Sequence, residues 1–307
     1  MQGVLAGFAT IIVVIGLGAL LAHLKVLDLA SQVVLSRLAF FVASPALMIT
    51  VLADTDVTEV FSRNLAATAV GVLVASAVYV VAARLVFRRD LADTVVGALC
   101  AAYVNAGNLG LPIAAYVIGD VALVAPTLLM QLLVLQPLAL AVLDQATSPQ
   151  PPSAWRLISR PLRTPLTVGS LIGLAVSLAG VELPAPIHDP LDLVGGMAVP
   201  AMLLAYGVSL RLGPLPGRGA APAELGLISV LKLVVQPVTA YAAGRFLFGL
   251  DSEALLAVTV LSALPTAQNI FVHATRYDRG VIVARDAIFV STMLAVPVMF
   301  VIVALLA

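Results

Sequence analysis

The feature that most constrains this chain is a series of long apolar segments in which polarity does not alternate. Bounded by charge or by proline and glycine, five fall at about Val4–Leu21, Val33–Leu52, Leu65–Phe87, Thr94–Ile118 and Val121–Leu143. Five more fall at Pro165–Val181, Leu191–Leu210, Leu225–Phe248, Glu253–Ala274 and Val281–Leu306. Most approach the ~20 residues that an α-helix needs to cross a bilayer. A membrane β-barrel would instead show ten-residue strands of alternating polarity. Backbone in lipid must satisfy its own hydrogen bonds, so the segments read as helices. With 62% hydrophobic and 10% charged residues, the chain has too little polar surface to cover a soluble fold. The reading is an all-α polytopic membrane protein with ten transmembrane helices.

Charge sets the expected orientation. Thirteen of the sixteen basic residues lie in or beside the loops after segments 1, 3, 5, 7 and 9. Arg63 and Arg245 lie on the other side, and Lys232 falls within a helix. Cytoplasmic loops collect Lys and Arg, which puts both termini outside. The N-terminal segment lacks a positive n-region, so it reads as a retained helix rather than a signal peptide. The proline-rich stretch after Leu143 reads as a cytoplasmic linker, residues 144–164. It separates five helices in residues 1–143 from five in residues 165–307. The lone Cys100 can form neither an internal disulfide nor a zinc site. No basic run exceeds two residues, so nothing points to nucleic acid, and no GxxxxGK[ST] motif suggests bound nucleotide.

The halves resemble each other. A shift of 161 residues lays "AARLVFRRD" on "AGRFLFGLD" and pairs Arg84 with Arg245, Asp90 with Asp251, Asn108 with Asn269 and Gly119 with Gly280. A shift of 155 pairs Pro45 with Pro200. Because each half holds five helices, the second enters the membrane from the opposite side. That predicts two inverted five-helix repeats, a common architecture of secondary transporters. Two apolar halves that match by composition alone are the competing explanation.

The fourth helix of each half carries polar residues and helix breakers deep in an apolar run. "YVNAGNLGLPI" has Gly107, Gly110 and Pro112; "LPTAQNIFVHATRYD" has Pro265. Proline removes an N–H and clashes with the preceding turn, and glycine tolerates an unwound backbone. Unwound backbone at membrane depth persists only against protein or a water-filled cavity. The N–H groups that start each following half-helix suit an anion. Asn105, Asn108, Thr266, Gln268 and Asn269 add donors and acceptors without fixed charge. The alternative is a pair of structural kinks whose amides bond neighbouring helices.

"NAGNLGLPI", "LKLVVQP" and "LPTAQNIFVHATRYD" resemble the auxin efflux carrier family in its bacterial branch, which includes carriers proposed for malonate and other organic acids. The resemblance covers the whole chain. It implies the fold of the bile-acid sodium symporters, with discontinuous helices 4 and 9 crossing at mid-membrane. It also implies a scaffold of helices 1, 2, 6 and 7, and a transport domain of helices 3–5 and 8–10 that moves against it. By resemblance, Asn105, Gly107, Asn108 and Pro112 fall on one crossover, and Pro265, Gln268 and Asn269 on the other. A homodimer through the scaffold is implied in the same way. The third helix lacks the acidic residue of the plant carriers and offers only Thr68 and Ser76.

Two ionisable residues stand apart. Lys232 costs roughly 2.5–3.5 kcal/mol at a helix centre; it either snorkels to the cytoplasmic face or attracts an anion or takes part in coupling. His273 either sits at the interface or titrates near neutral pH. These residues together point to a secondary transporter of a small organic anion in the cytoplasmic membrane, without a cofactor and with H+ or Na+ as candidate coupling ions. A passive channel and an intramembrane enzyme are the alternatives. The enzyme lacks HExxH, GxSxG and an acidic pair at mid-depth.

Overall fold

The structure is a computed structural model that describes residues 2–54, 63–110, 113–114, 118, 121–147, 165–213 and 219–306. Pro112, most of the linker and the side chain of Asn108 lie outside the described residues. The described residues are helical apart from loops and one isolated antiparallel bridge. The helices are α1 (Gln2–His23), α2 (Leu29–Ala53), α3 (Arg63–Leu85), α4 (Leu91–Ala102), α5 (Pro126–Thr147) and α6 (Pro165–Ala179). They continue with α7 (Ala185–Leu212), α8 (Pro222–Leu247), α9 (Ser252–Ser262), α10 (Asn269–Tyr277) and α11 (Val281–Leu306). Among the described residues, six helices are long and apolar enough to cross a membrane: α2, α3, α5, α7, α8 and α11. The protein is a multi-pass membrane protein.

Helix starts follow from local chemistry. Asp28 caps α2 and Ser31 returns the bond, a reciprocal box that satisfies two orphan N–H groups. The Ser31 hydroxyl, with its backbone N–H, holds the Asp28 carboxyl below the usual carboxylate range. Asp90 caps α4 by accepting from the Asp93 N–H at 2.8 Å, and Asp251 caps α9 by accepting from the Ala254 N–H at 2.9 Å. These two aspartates are the pair that the 161-residue register aligns, and they do the same local job.

The outer surface differs from that of a soluble protein. Large side chains such as Leu73, Val81 and Phe246 face outward at 65%, 56% and 79% exposure, where lipid hydrocarbon is their natural solvent. Small residues and polar side chains share the interior with large apolar ones such as Leu109, Leu264 and Ile288. α1 packs on α7 through Gly18 and Gly207. A Cβ on Gly207 would lie 2.1 Å from the Ile15 carbonyl oxygen, and one on Gly18 would lie 2.4 Å from that of Leu204. α6 packs on α2 through Gly169 and Gly173, against the carbonyl oxygens of Pro45 and Ile49 at 2.6 and 2.7 Å. Close backbone approach at small residues is the usual way helices associate in lipid.

The remaining helices pack around two apolar clusters. One holds Val104, Leu109, Ile113, Leu264 and Ile288; the other holds Tyr79, Cys100, Tyr103, Leu231 and Ile270. Cys100 is a free, buried packing residue, as its isolation in the sequence suggests. At one end of this bundle, Glu224 accepts from the Tyr79 hydroxyl at 2.8 Å and from the Arg89 guanidinium at 2.5 and 3.2 Å. That carboxylate ties α3 and its following loop to the start of α8, and it holds the Arg89 guanidinium more firmly protonated than usual. Arg285 and Asp286 pair with each other in the interior, at 2.7 Å.

Candidate functional site

Two helices stop in the interior and face each other. α4 ends at Ala102 and α9 ends at Ser262. Beyond them the two segments meet and pair: Val104 and Thr266 form the antiparallel bridge. The Asn105 N–H donates to the Pro265 carbonyl at 2.9 Å, and the Ala267 N–H donates to the Tyr103 carbonyl at 3.1 Å. Pro265 has no N–H to donate, so its carbonyl is the group that a partner strand can use. The bridge therefore satisfies backbone that a broken membrane helix would leave orphaned. After the crossing, one chain enters a π turn, Ala106–Gly110, and the other starts α10 at Asn269.

Side chains close the remaining ends. The Thr266 hydroxyl donates to the Cys100 carbonyl at 2.6 Å, and the Thr266 N–H donates to the Ser291 hydroxyl oxygen at 3.1 Å. The Gln236 amide donates to the Ala102 carbonyl at 3.0 Å. Lys232 donates to the Gln236 amide oxygen at 2.6 Å and to the Ser262 carbonyl at 3.2 Å. Lys232 is fully buried. The side chain does not snorkel, because the Ser262 carbonyl at the end of α9 and the Gln236 amide oxygen already accept from it inside the protein.

A cavity of about 80 Å³ lies on the opposite side of the crossing. Asn105, Ala106 and Gly107 of one break and Ala267, Gln268 and Asn269 of the other line it, with Tyr103 and Gln131 beside them. α2 and α7 close it with Ser36, Phe40, Ser44, Leu47, Met48 and Met202. The π turn and the start of α10 therefore face one space, with amide side chains and no fixed charge on the lining. Gln131 is buried, and its amide nitrogen has no hydrogen-bond partner. The Gln136 amide oxygen lies 3.4 Å from both the Tyr103 hydroxyl and the Asn269 amide nitrogen.

A larger space of about 810 Å³ opens beyond α2. Gln32, Arg37, Asp144, Phe271, His273 and Arg276 are among its lining residues. Ser36, Phe40 and Val272 line both spaces, so the vestibule meets the cavity there. Phe40 stacks edge-to-face on the His273 ring with centroids 6.0 Å apart. This is the side of the molecule that carries Arg37 and Arg276, the arginine-rich side of the sequence.

Of the residues singled out from the sequence, Asn105, Gly107, Gln268 and Asn269 meet at the cavity. Pro265 and Thr266 hold the break together and do not line it. Asn108 has its backbone in the π turn, and Pro112 lies outside the described residues. Lys232 sits behind the crossing, away from the cavity. His273 is 1% exposed and belongs to the vestibule wall, with neither ring nitrogen bonded. Tyr103, which opens the same motif as Asn105 but was not among the residues singled out, also lines the cavity. Gln131 lines the cavity, and Gln136 braces Tyr103 and Asn269. Among the described residues no group of three His, Cys, Asp or Glu could hold a metal.

The chain is similar to a protein of Rhizobium meliloti (strain 1021) named "Putative malonate transporter", at 27% identity over 85% of this chain and 83% of the relative. It is also similar to an "Uncharacterized transporter" of Methanothermobacter thermautotrophicus, at 29% identity over 93% of each chain. The family described as membrane transport protein matches residues 4–303. Together with the broken, crossing helices, that match places the chain in the membrane transport protein family, the family of the auxin efflux carriers.

Proposed function

We propose that the chain is a secondary transporter that carries a small organic anion across the cytoplasmic membrane by elevator-type alternating access. The observation that carries this reading is the cavity on which the π turn after one break and the start of α10 after the other converge. Helix starts bear partial positive charge, and Asn105, Gln268 and Asn269 supply amides that can bond a carboxylate without a buried countercharge. A cavity of about 80 Å³ suits a short-chain acid better than an aromatic one. The name of the Rhizobium meliloti relative points to malonate as the first acid to try.

The mechanism reading rests on how the helices pack. α1 meets α7 and α6 meets α2, the exchange that a two-fold relation between inverted five-helix repeats requires. Those four helices form the scaffold, also the surface for a homodimer. Helices α3–α5 and α8–α11 form the moving body and carry both breaks. The cavity lies at the seam between the two bodies, with Ser36, Phe40 and Met202 on the scaffold side. Sliding along that seam would move the cavity from the vestibule to the opposite face. In this conformation it communicates with the arginine-rich, cytoplasmic side. No cofactor is needed beyond an ion gradient.

The test is uptake of labelled malonate and other mono- and dicarboxylates into proteoliposomes, with and without imposed H+ and Na+ gradients. Saturable uptake of one acid is expected, with counterflow that a channel would not show. It should fall at least about tenfold in Asn269→Ala combined with Asn105→Ala, the loss of some 1.4 kcal/mol of binding. Uptake unchanged in that double variant would remove the crossover cavity as the site.

A further inference from the structure

The vestibule carries cationic groups that the crossover cavity does not use. Arg37 on α2 and Arg276 on α10 line it from two walls. Both are exposed, and among the described residues neither has a carboxylate within ion-pair distance. Asp144 is the one carboxylate among the lining residues, and it already accepts from the Tyr277 hydroxyl at 3.0 Å. His273 lies about one turn before Arg276 on α10, so the two share a face. Its ring is buried in the same wall with neither nitrogen bonded. Gln32 and Ser36 add polar groups on the α2 wall. The space measures about 810 Å³, against about 80 Å³ for the cavity at the crossing.

Two guanidinium groups on separate walls match two carboxylates, since each can hold one through paired N–H donors. We propose that the vestibule is a second anion site, which takes a di- or tricarboxylate longer than malonate, bridges α2 to α10 through Arg37 and Arg276, and inhibits transport. An anion of that length fills the vestibule without entering the smaller cavity, so it is held rather than carried. The site stands on the vestibule alone; the inhibition rests on the transport reading. In that reading α2 belongs to the scaffold and α10 to the moving body. Sliding along the seam parts the two arginines, so the bridging anion binds this conformation and draws the population toward it. A cytoplasmic polycarboxylate thereby stops the carrier on the side where the vestibule opens.

The test melts the full-length purified protein in citrate and in chloride at equal ionic strength. Citrate should raise the wild-type melting temperature by about 2 °C or more, as a bound ligand stabilises the folded state. Both arginines are exposed, so Arg37→Gln and Arg276→Gln should fold. Each should lose most of the rise, because each removes one end of the bridge. A rise that reflects general exclusion of citrate from protein surfaces would be equal in every variant. Asn105→Ala combined with Asn269→Ala should keep the rise, since those residues line the other space. In proteoliposomes with citrate on both faces, the maximal rate of wild-type malonate uptake should fall about twofold or more with little change in KM. Uptake by Arg37→Gln should not respond to citrate. No rise in wild type, or an equal rise in both arginine variants, overturns the proposal. So does a rise lost in the double asparagine variant, because citrate would then occupy the crossover cavity. Inhibition that raises KM alone overturns it as well, since the vestibule would then be only an entrance. An arginine-dependent rise in a protein that moves no malonate keeps the site and sinks the carrier reading.

Discussion

The two breaks align in the 161-residue register, yet they are held in different ways. At the first, Tyr103–Gly110, the helix end is closed by groups from elsewhere: Gln236 on the Ala102 carbonyl and Thr266 on the Cys100 carbonyl. The second, Ala263–Asn269, is closed by Lys232 and Ser291. All four residues belong to the second half of the chain. The same register carries Lys232 back to Gly71 and Gln236 back to Ala75. The reason is steric. α3 and α8 cross where a Cβ on Gly71 would lie 2.8 Å from the Gln236 carbonyl oxygen and 3.1 Å from the Ala240 methyl. Two copies of a lysine and a glutamine would not fit at that crossing, so one repeat supplies the polar pair and the other makes room. A symmetric pair of breaks is thus held by an asymmetric set of bonds.

The largest expected effect tests the space at that crossing. Gly71→Leu should destabilise the protein by about 3 kcal/mol or more, because the added atoms meet backbone that cannot turn aside. Thermal melts in detergent would read it as a large drop in melting temperature or as loss of folded protein. A melt like that of wild type would mean that α3 and α8 are free to part, and the steric account of the asymmetry would fail.

Next comes the pair itself. Gln236→Leu leaves the Ala102 carbonyl without its donor and Lys232 with the Ser262 carbonyl as its remaining acceptor. Stranding a buried carbonyl costs about 1–3 kcal/mol, and Lys232 loses its shorter bond as well. Thr266→Val should cost less, about 1–2 kcal/mol, because it removes one neutral bond to the Cys100 carbonyl and keeps the shape. If the two variants melted in the reverse order, the lysine–glutamine pair would not be the main closure of the breaks.

The sequence made the two breaks legible because each carries its own local cause: Pro265 in one, and Gly107 and Gly110 in the other. Helix positions were legible for a similar reason, since apolar length is a local property. Its limit shows at Thr94–Ile118 and Glu253–Ala274, each read as one helix with a break in its middle; the structure ends the regular helix at Ala102 and at Ser262. The closures were not legible. Lys232 reads equally well as a snorkelling residue until Ser262, thirty positions away, is placed beside it. Tyr103, Gln131 and Gln136 depend in the same way on partners that only tertiary packing brings near. His273 illustrates the converse: its place at the end of an apolar run suggested the interface, while packing against Phe40 buries it.

The smallest effect belongs to the part of the two halves that is most alike. Asp90 and Asp251 cap α4 and α9 with the same geometry, at 2.8 and 2.9 Å. Replacing an N-cap aspartate by alanine costs about 1 kcal/mol, so Asp90→Ala and Asp251→Ala should lower stability by nearly equal amounts. Asp90 also meets Arg279 at 3.4 Å, with both side chains about half exposed, and such pairs contribute little. The double variant should lose the sum of the two, since the caps share no partner. Equal and additive losses would confine the asymmetry to the interior, where Gly71 yields to Gln236. Unequal losses would mean that the difference between the halves already begins at the helix starts, and the crossing of α3 and α8 could not be its only source.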